Sequence, residues 1–326
     1  MAKARAIVKR RKAVRNIKKI TKTMQMIATA KFQKSLKRAV GTKPYTMKVR
    51  ELVRELAATV GNVEHPLLRK PDAETRTGKV VVVVITSNRG LAGAYNGSVL
   101  RTATAFIREQ EAQGNTVELT AIGKKGISYF NYQRRTMANR HEANDVPTFD
   151  EINRRLEPVI ARFVAGEIDA VHVVFMNFVS AGVQKPDVLT LLPLAGLRES
   201  VDRIAHQTAE HEAQAKAGAL DAKRTGADVK VRDDHGYHTT TEYEFSPSAK
   251  ELLDELLPLT VKTAFFQTFL DATTSEHVAR MVAMKSATDN ADKMVKALSM
   301  QYNRARQSQI TTELSEIMGG VEAMKG

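Results

Sequence analysis

Between Leu259 and Met318 the sequence contains neither glycine nor proline, and apolar residues recur every three or four positions along the whole stretch. Val278, Met281, Met284, Ala291, Met294, Leu298, Tyr302, Ala305, Ile310, Leu314 and Ile317 carry the pattern. That spacing predicts one helix with an apolar stripe. Sixty helical residues reach about 90 Å, far more than the diameter of a domain this chain could build. Such a helix has to project, and its stripe needs a partner.

The other end of the chain supplies one. Residues 2–40 also lack glycine and proline, and Ala13, Ile17, Ile20, Met24 and Ile27 form a stripe with Val14 and Ala28 beside it. Gly41 and Pro44 predict a break or kink, after which Val49, Leu52, Val53 and Leu56 resume the pattern up to Gly61-Asn62. Two long amphipathic helices at opposite ends of one chain pair most economically as an antiparallel coiled coil.

Charge separates the two ends. Residues 1–50 hold 17 Lys and Arg and no acid, whereas the rest holds 33 basic and 36 acidic groups. The excess positive charge therefore sits on the first helix and calls for an acidic partner: nucleic acid, an anionic membrane surface or an acidic protein patch. A bare basic arm for nucleic acid needs no apolar stripe, and aromatic residues make up only 6% of the chain, few for stacking on bases. The chain has no cysteine, which removes disulfides, thiol nucleophiles, cysteine zinc sites and iron–sulfur clusters together. No apolar stretch is long enough to span a bilayer.

The middle has a different rhythm. Strand patterns at 79–86, 117–123, 170–178 and 188–194 alternate with helical patterns at about 96–112 and 150–165. This alternation predicts a three-layer α/β domain with a mostly parallel sheet. Residues 199–241 are polar, lack an apolar period after Ile204 and contain four of the eight histidines, so they read as a surface insertion.

Ser87-Asn88-Arg89-Gly90-Leu91-Ala92-Gly93-Ala94-Tyr95-Asn96-Gly97 follows the first strand and precedes a helix, where dinucleotide folds bind phosphate. Its glycines do not fall in the G-x-G-x-x-G pattern, and no P-loop is present, so it reads as a tight turn. His206, His211, Asp233, Asp234, His235 and His238 lack the spacing of a metal site. No catalytic residue, cofactor site or metal site emerges, and no cofactor is expected.

Three long segments resemble a known family. RRKAVRNIKKITKTMQMIATAKF at 10–32, TSNRGLAGAYN at 86–96, and SEHVARMVAMKSATDNADKMVKAL with YNRARQSQITTELSEIMGG at 275–298 and 302–320 are similar to the gamma subunit of F-type ATP synthases. TKPYTMKVRELV at 42–53 and FSPSAKELLDELLP at 245–258 resemble it too. The resemblance implies a central-stalk rotor: a coiled coil turning inside a ring of alpha and beta subunits, and an α/β domain beside the epsilon subunit and on the c-ring of the membrane sector. Such a subunit does no bond chemistry; its rotation couples proton flow to ATP synthesis or hydrolysis on beta and regulates the ATPase. Carried over by motif, Lys22, Met24, Gln25, Arg306, Gln307, Thr311 and Glu313 are expected at the contacts with the ring.

The expected organisation is an N-terminal coiled-coil helix (1–60), a Rossmann-like α/β domain (78–198), a polar insertion (199–241) and a C-terminal coiled-coil helix (247–326). Asn88 stands where the family motif S-D-R-G-L-C-G has its acid. The insertion sits where plant-type relatives carry a dithiol switch, which a chain without cysteine excludes. It reads either as a tolerated loop or as a restraint on hydrolysis. The similarity begins within the first few residues, leaving no room for a transit peptide and pointing to the cytoplasmic face of a bacterial inner membrane, with indirect membrane association. The alternatives are a basic nucleic-acid-binding protein and, on the α/β domain, a nucleotide-dependent oxidoreductase.

Overall fold

A computed structural model describes residues 2–60, 65–69, 75–194 and 249–324. The insertion at 199–241 lies outside them. The described elements are α1 (Ala2–Val60), a 3-10 turn (Pro66–Leu68), β1 (Lys79–Ile85), α2 (Tyr95–Ala112), β2 (Thr116–Ile122), α3 (Lys124–Tyr132), β3 (Asn139–His141), α4 (Phe149–Val164), β4 (Ala170–Phe178), β5 (Gln184–Leu192) and α5 (Ala249–Ala323). They fall into two compact units. One comprises Met1–Lys34, Leu91–Gly93 and His277–Gly326; the other comprises Ser35–Gly90 and Ala94–Glu276.

The second unit holds a five-stranded sheet in the order β3-β2-β1-β4-β5. Every pairing is parallel except β4 with β5, so the alternating sequence pattern does yield a mostly parallel sheet. The antiparallel pair follows from its short connection, too short for a crossover. β1 is a run of valines because both its faces are covered. On one face Val81, Val83 and Ile85 join Val171, Val173 and Phe175 of β4 against Ile152, Leu156 and Phe163 of α4 and Val261, Phe265 and Phe269 of α5. On the other, β1 and β4 meet α2, whose Val99, Ala103 and Ile107 are fully buried. Each of the buried valine, leucine, isoleucine and phenylalanine side chains contributes about 1.5–3 kcal/mol by leaving water.

Three elements escaped the sequence pattern: the 3-10 turn, α3 and the three-residue edge strand β3. α3 begins directly after β2 at Gly123, which has φ +95°. A Cβ there would lie 2.2 Å from the Thr86 carbonyl oxygen, so only glycine lets the β2–α3 corner pass the end of β1.

Both long helices run through a proline. α1 is continuous through Gly41 and Pro44, so of the expected break or kink the break does not occur. A single proline removes one helical hydrogen bond, and buried Ala39 and Val49 on either side anchor the helix across it. α5 likewise starts at Ala249 and runs through Pro258, giving 75 residues.

Candidate partner-binding shaft

In the first unit α1 and α5 form an antiparallel pair. Burial on α1 follows Ile7, Arg11, Val14, Lys18, Thr21, Gln25 and Ala28, alternating steps of four and three. On α5 the matching series is Met281, Met284, Thr288, Ala291, Val295, Leu298, Tyr302, Ala305 and Gln309. A strict seven-residue repeat on both helices is the seam of a left-handed coiled coil. Val14, Ala291 and Leu298 form its apolar centre, with Ile7 and Val295 packed around them.

Three polar contacts cross the seam. The Thr21 and Thr288 hydroxyls lie 2.8 Å apart, buried, one donating to the other. Lys18 donates to Asp292 at 2.5 Å, and the Arg11 guanidinium lies 4.9 Å from the centre of the Tyr302 ring. The hydrogen bond and charge of Lys18 hold the Asp292 carboxyl below the ordinary carboxylate range, with Lys296 adding to it.

The expected α1 stripe is only partly the seam. Val14 and Ala28 are buried, but Ile17, Ile20 and Ile27 are 52%, 59% and 53% exposed. On α5, Met294, Ile310, Leu314 and Ile317 are exposed too. A two-helix coil buries only a narrow track, so larger apolar residues one position away lie outside it. From Ile310 to Val321 every residue is exposed. Lys9, Arg10, Lys12, Arg15, Lys19 and Lys34 are exposed along α1. The shaft thus presents apolar residues and positive charge side by side.

The residues carried over by motif fall in two groups. Lys22 is exposed, while Met24 and Gln25 are half-buried, Gln25 on the seam. Arg306, Gln307, Thr311 and Glu313 are exposed on α5; Thr311 donates to the Gln307 carbonyl at 3.0 Å, and Glu313 accepts from Gln309 at 2.8 Å. Because Thr21 faces Thr288 and the helices run antiparallel, the two groups lie about 28 Å apart along the coil at their nearest members, Lys22 and Arg306. Lys18, Thr21, Thr288 and Asp292 were not singled out by sequence reasoning. A strict test for a period of 3.5 rather than 3.6 marks Lys18, Thr21 and Thr288, whereas Asp292 flanks the seam next to Ala291.

The turn after β1 closes on its own side chains. Ser87 donates to the Arg89 carbonyl, and Asn96 accepts from the Ser87 amide. Asn88 accepts from the Lys124 and Ala143 amides and donates to the Ala143 carbonyl. The neighbouring crevice at the carboxyl ends of the strands holds about 10 Å³, room for one water at most. Among the described residues no cluster of three potential metal ligands occurs, and no helix is long and apolar enough to cross a membrane.

A basic two-helix coil joined to an α/β unit of this kind has known counterparts. A family model described as ATP synthase matches residues 3–324. The chain is 41% identical to the ATP synthase gamma chain of Rhodopirellula baltica over 327 residues, covering 100% of both. It is 36% identical to that of Leptospira biflexa, covering 99% of this chain and 100% of the other. Among solved structures, a chain of the Euglena gracilis mitochondrial ATP synthase rotor in rotational state 1 matches with a TM-score of 0.59 at 17% identity, over 95% of this chain and 99% of that one. A chain of the OSCP/F1/c-ring assembly of the same enzyme in rotational state 3 matches with a TM-score of 0.59 at 18% identity, over 99% and 95%.

By class, then, the chain is a subunit of an ATP synthase complex. Within that class it belongs to the ATP synthase gamma chain family. The nucleic-acid reading finds no support in any of these relatives.

Proposed function

We propose that the coil is the central shaft of a rotary ATP synthase, turning inside a ring of alpha and beta subunits and coupling proton flow to ATP synthesis or hydrolysis at beta. One observation carries this reading: in a gamma-family chain, the coil leaves Ile17, Ile20 and Ile27 exposed beside a belt of lysines and arginines. A helix pair with apolar residues outside its seam is suited to enclosure, and long-range attraction between its belt and acidic surfaces is weakly directional. Such a shaft can be held without being fixed at one angle.

The chain itself does no bond chemistry on this reading; the nucleotide sites belong to beta. Lys22, Met24 and Gln25 meet an acidic loop of beta, and Arg306, Gln307, Thr311 and Glu313 meet a different loop of beta further along the shaft. The α/β unit stands beside the epsilon subunit and on the c-ring. The complex lies at the cytoplasmic face of a bacterial inner membrane, with this chain peripheral to it. The organisation follows as coiled-coil segments at 1–60 and 247–326, a domain at 78–198 and an inserted segment at 199–241.

Co-purification tests the proposal. A tagged full-length chain is expected to bring down alpha and beta subunits with ATPase activity, and to show none when pure. ATP turnover by the pure chain, or recovery without alpha and beta, overturns it.

A further inference from the structure

The seam between α1 and α5 is poor in the residues that normally fix a coiled coil in one alignment. Its apolar centre is Val14, Ala291 and Leu298, and the α1 track also contains Arg11, Lys18, Thr21, Gln25 and Ala28. Small and polar residues interlock weakly, so shape alone discriminates little between alignments one heptad apart. The polar contacts do discriminate. Ascending from Arg11 to Thr21 on α1, their partners descend from Tyr302 through Asp292 to Thr288 on α5.

A shift of one heptad is a slide of about 10.5 Å. In one direction it sets Lys18 against Lys285, Thr21 against Met281 and Arg11 against Val295. In the other it sets Lys18 against Ser299, Thr21 against Val295 and Arg11 against Gln309. Neither alignment keeps any of the three contacts, and the first places two lysines together. We propose that Lys18–Asp292, supported by Thr21–Thr288 and Arg11–Tyr302, selects the single alignment in which the two helices pair. The Lys18–Asp292 pair is half-exposed and adds little to overall stability, but selecting an alignment needs only a difference between alternatives.

The absence of cysteine makes the test clean, because two introduced thiols define one bridge. Val14→Cys with Val295→Cys reports the alignment seen here; Ile7→Cys with Val295→Cys reports the slipped one. Bridging needs close Cα approach, so a heptad slide separates the two reporters. In the otherwise unchanged full-length chain, oxidation is expected to close the first bridge and not the second. Adding Lys18→Glu turns the native contact with Asp292 into repulsion and the slipped one with Lys285 into attraction. The slipped bridge should then rise at least about tenfold, the change that about 1.4 kcal/mol of altered preference produces. Adding Asp292→Lys to Lys18→Glu should return the native bridge to its parent level.

If Lys18→Glu leaves the native bridge dominant, apolar packing sets the alignment and the proposal is wrong. If Lys18→Glu instead loses helix content and both bridges, the exchanged pair decides: recovery of the native bridge supports the proposal, and no recovery overturns it.

Discussion

His172 makes the stability of the α/β unit depend on pH. It lies on β4, its Nδ1 is 3.1 Å from the Thr190 hydroxyl, and its ring meets Phe106 of α2 edge-on at 4.9 Å between centroids. Burial pushes its pKa down from 6.5 to about 4. The unfolded chain therefore binds a proton at a pH where the folded chain does not. The stabilisation is complete above pH 6.5 and is lost as the pH falls towards 4. Between about pH 7.5 and pH 5 this linkage removes about 2 kcal/mol, a large share of a marginal folding free energy. The assay is urea unfolding of the full-length chain at both pH values, compared with His172→Gln. His65 and His141 are also shifted down by burial and contribute in the same direction, so the informative quantity is the difference between parent and variant. The parent should lose about 2 kcal/mol more than the variant over this interval. Equal losses would show that His172 takes up its proton in the folded chain and would refute the reasoning.

Asn88→Asp replaces an amide that donates to the Ala143 carbonyl with a carboxylate that only accepts. It should cost about 1–3 kcal/mol, measured by denaturant unfolding. Gly123→Ala drives a methyl into the Thr86 carbonyl at a positive φ; yield of soluble chain should collapse, while the same change at Gly114, with no atom within 4 Å, costs about 1 kcal/mol. Met24→Lys adds a charge at the expected ring contact and deepens one rotor position by about 1–3 kcal/mol. The complex should assemble in normal yield while proton-driven ATP synthesis falls; failed assembly would make Met24 an ordinary packing residue.

The long helices were legible because nothing interrupts a period near 3.6 for tens of residues, and the buried strands because a run such as Val80–Val84 has one reading between turn signals. The seam was less legible. Ile17, Ile20 and Ile27 outweigh Thr21 and Ala28 on any hydrophobicity scale, yet Thr21 and Ala28 are buried and the isoleucines are not. The larger apolar residues lie on a second face of the coil, outside the narrow track that the two helices bury between them. The continuity of α1 across Pro44 was invisible for a related reason: local propensity argues for a break, and packing of Ala39 and Val49 overrides it. α3 was hidden by its brevity, and its signal is the Gly123–Gly126 spacing that lets it pass Thr86.

Rotation of this chain relative to its complex is the most direct test of the shaft. Tyr132 is 89% exposed at the end of α3, so Tyr132→Cys gives a unique attachment point on a chain with no other thiol. With the complex fixed to a surface through beta and a bead attached at position 132, ATP should drive continuous rotation in one direction. A bead that stays still while the same complexes hydrolyse ATP would contradict the account.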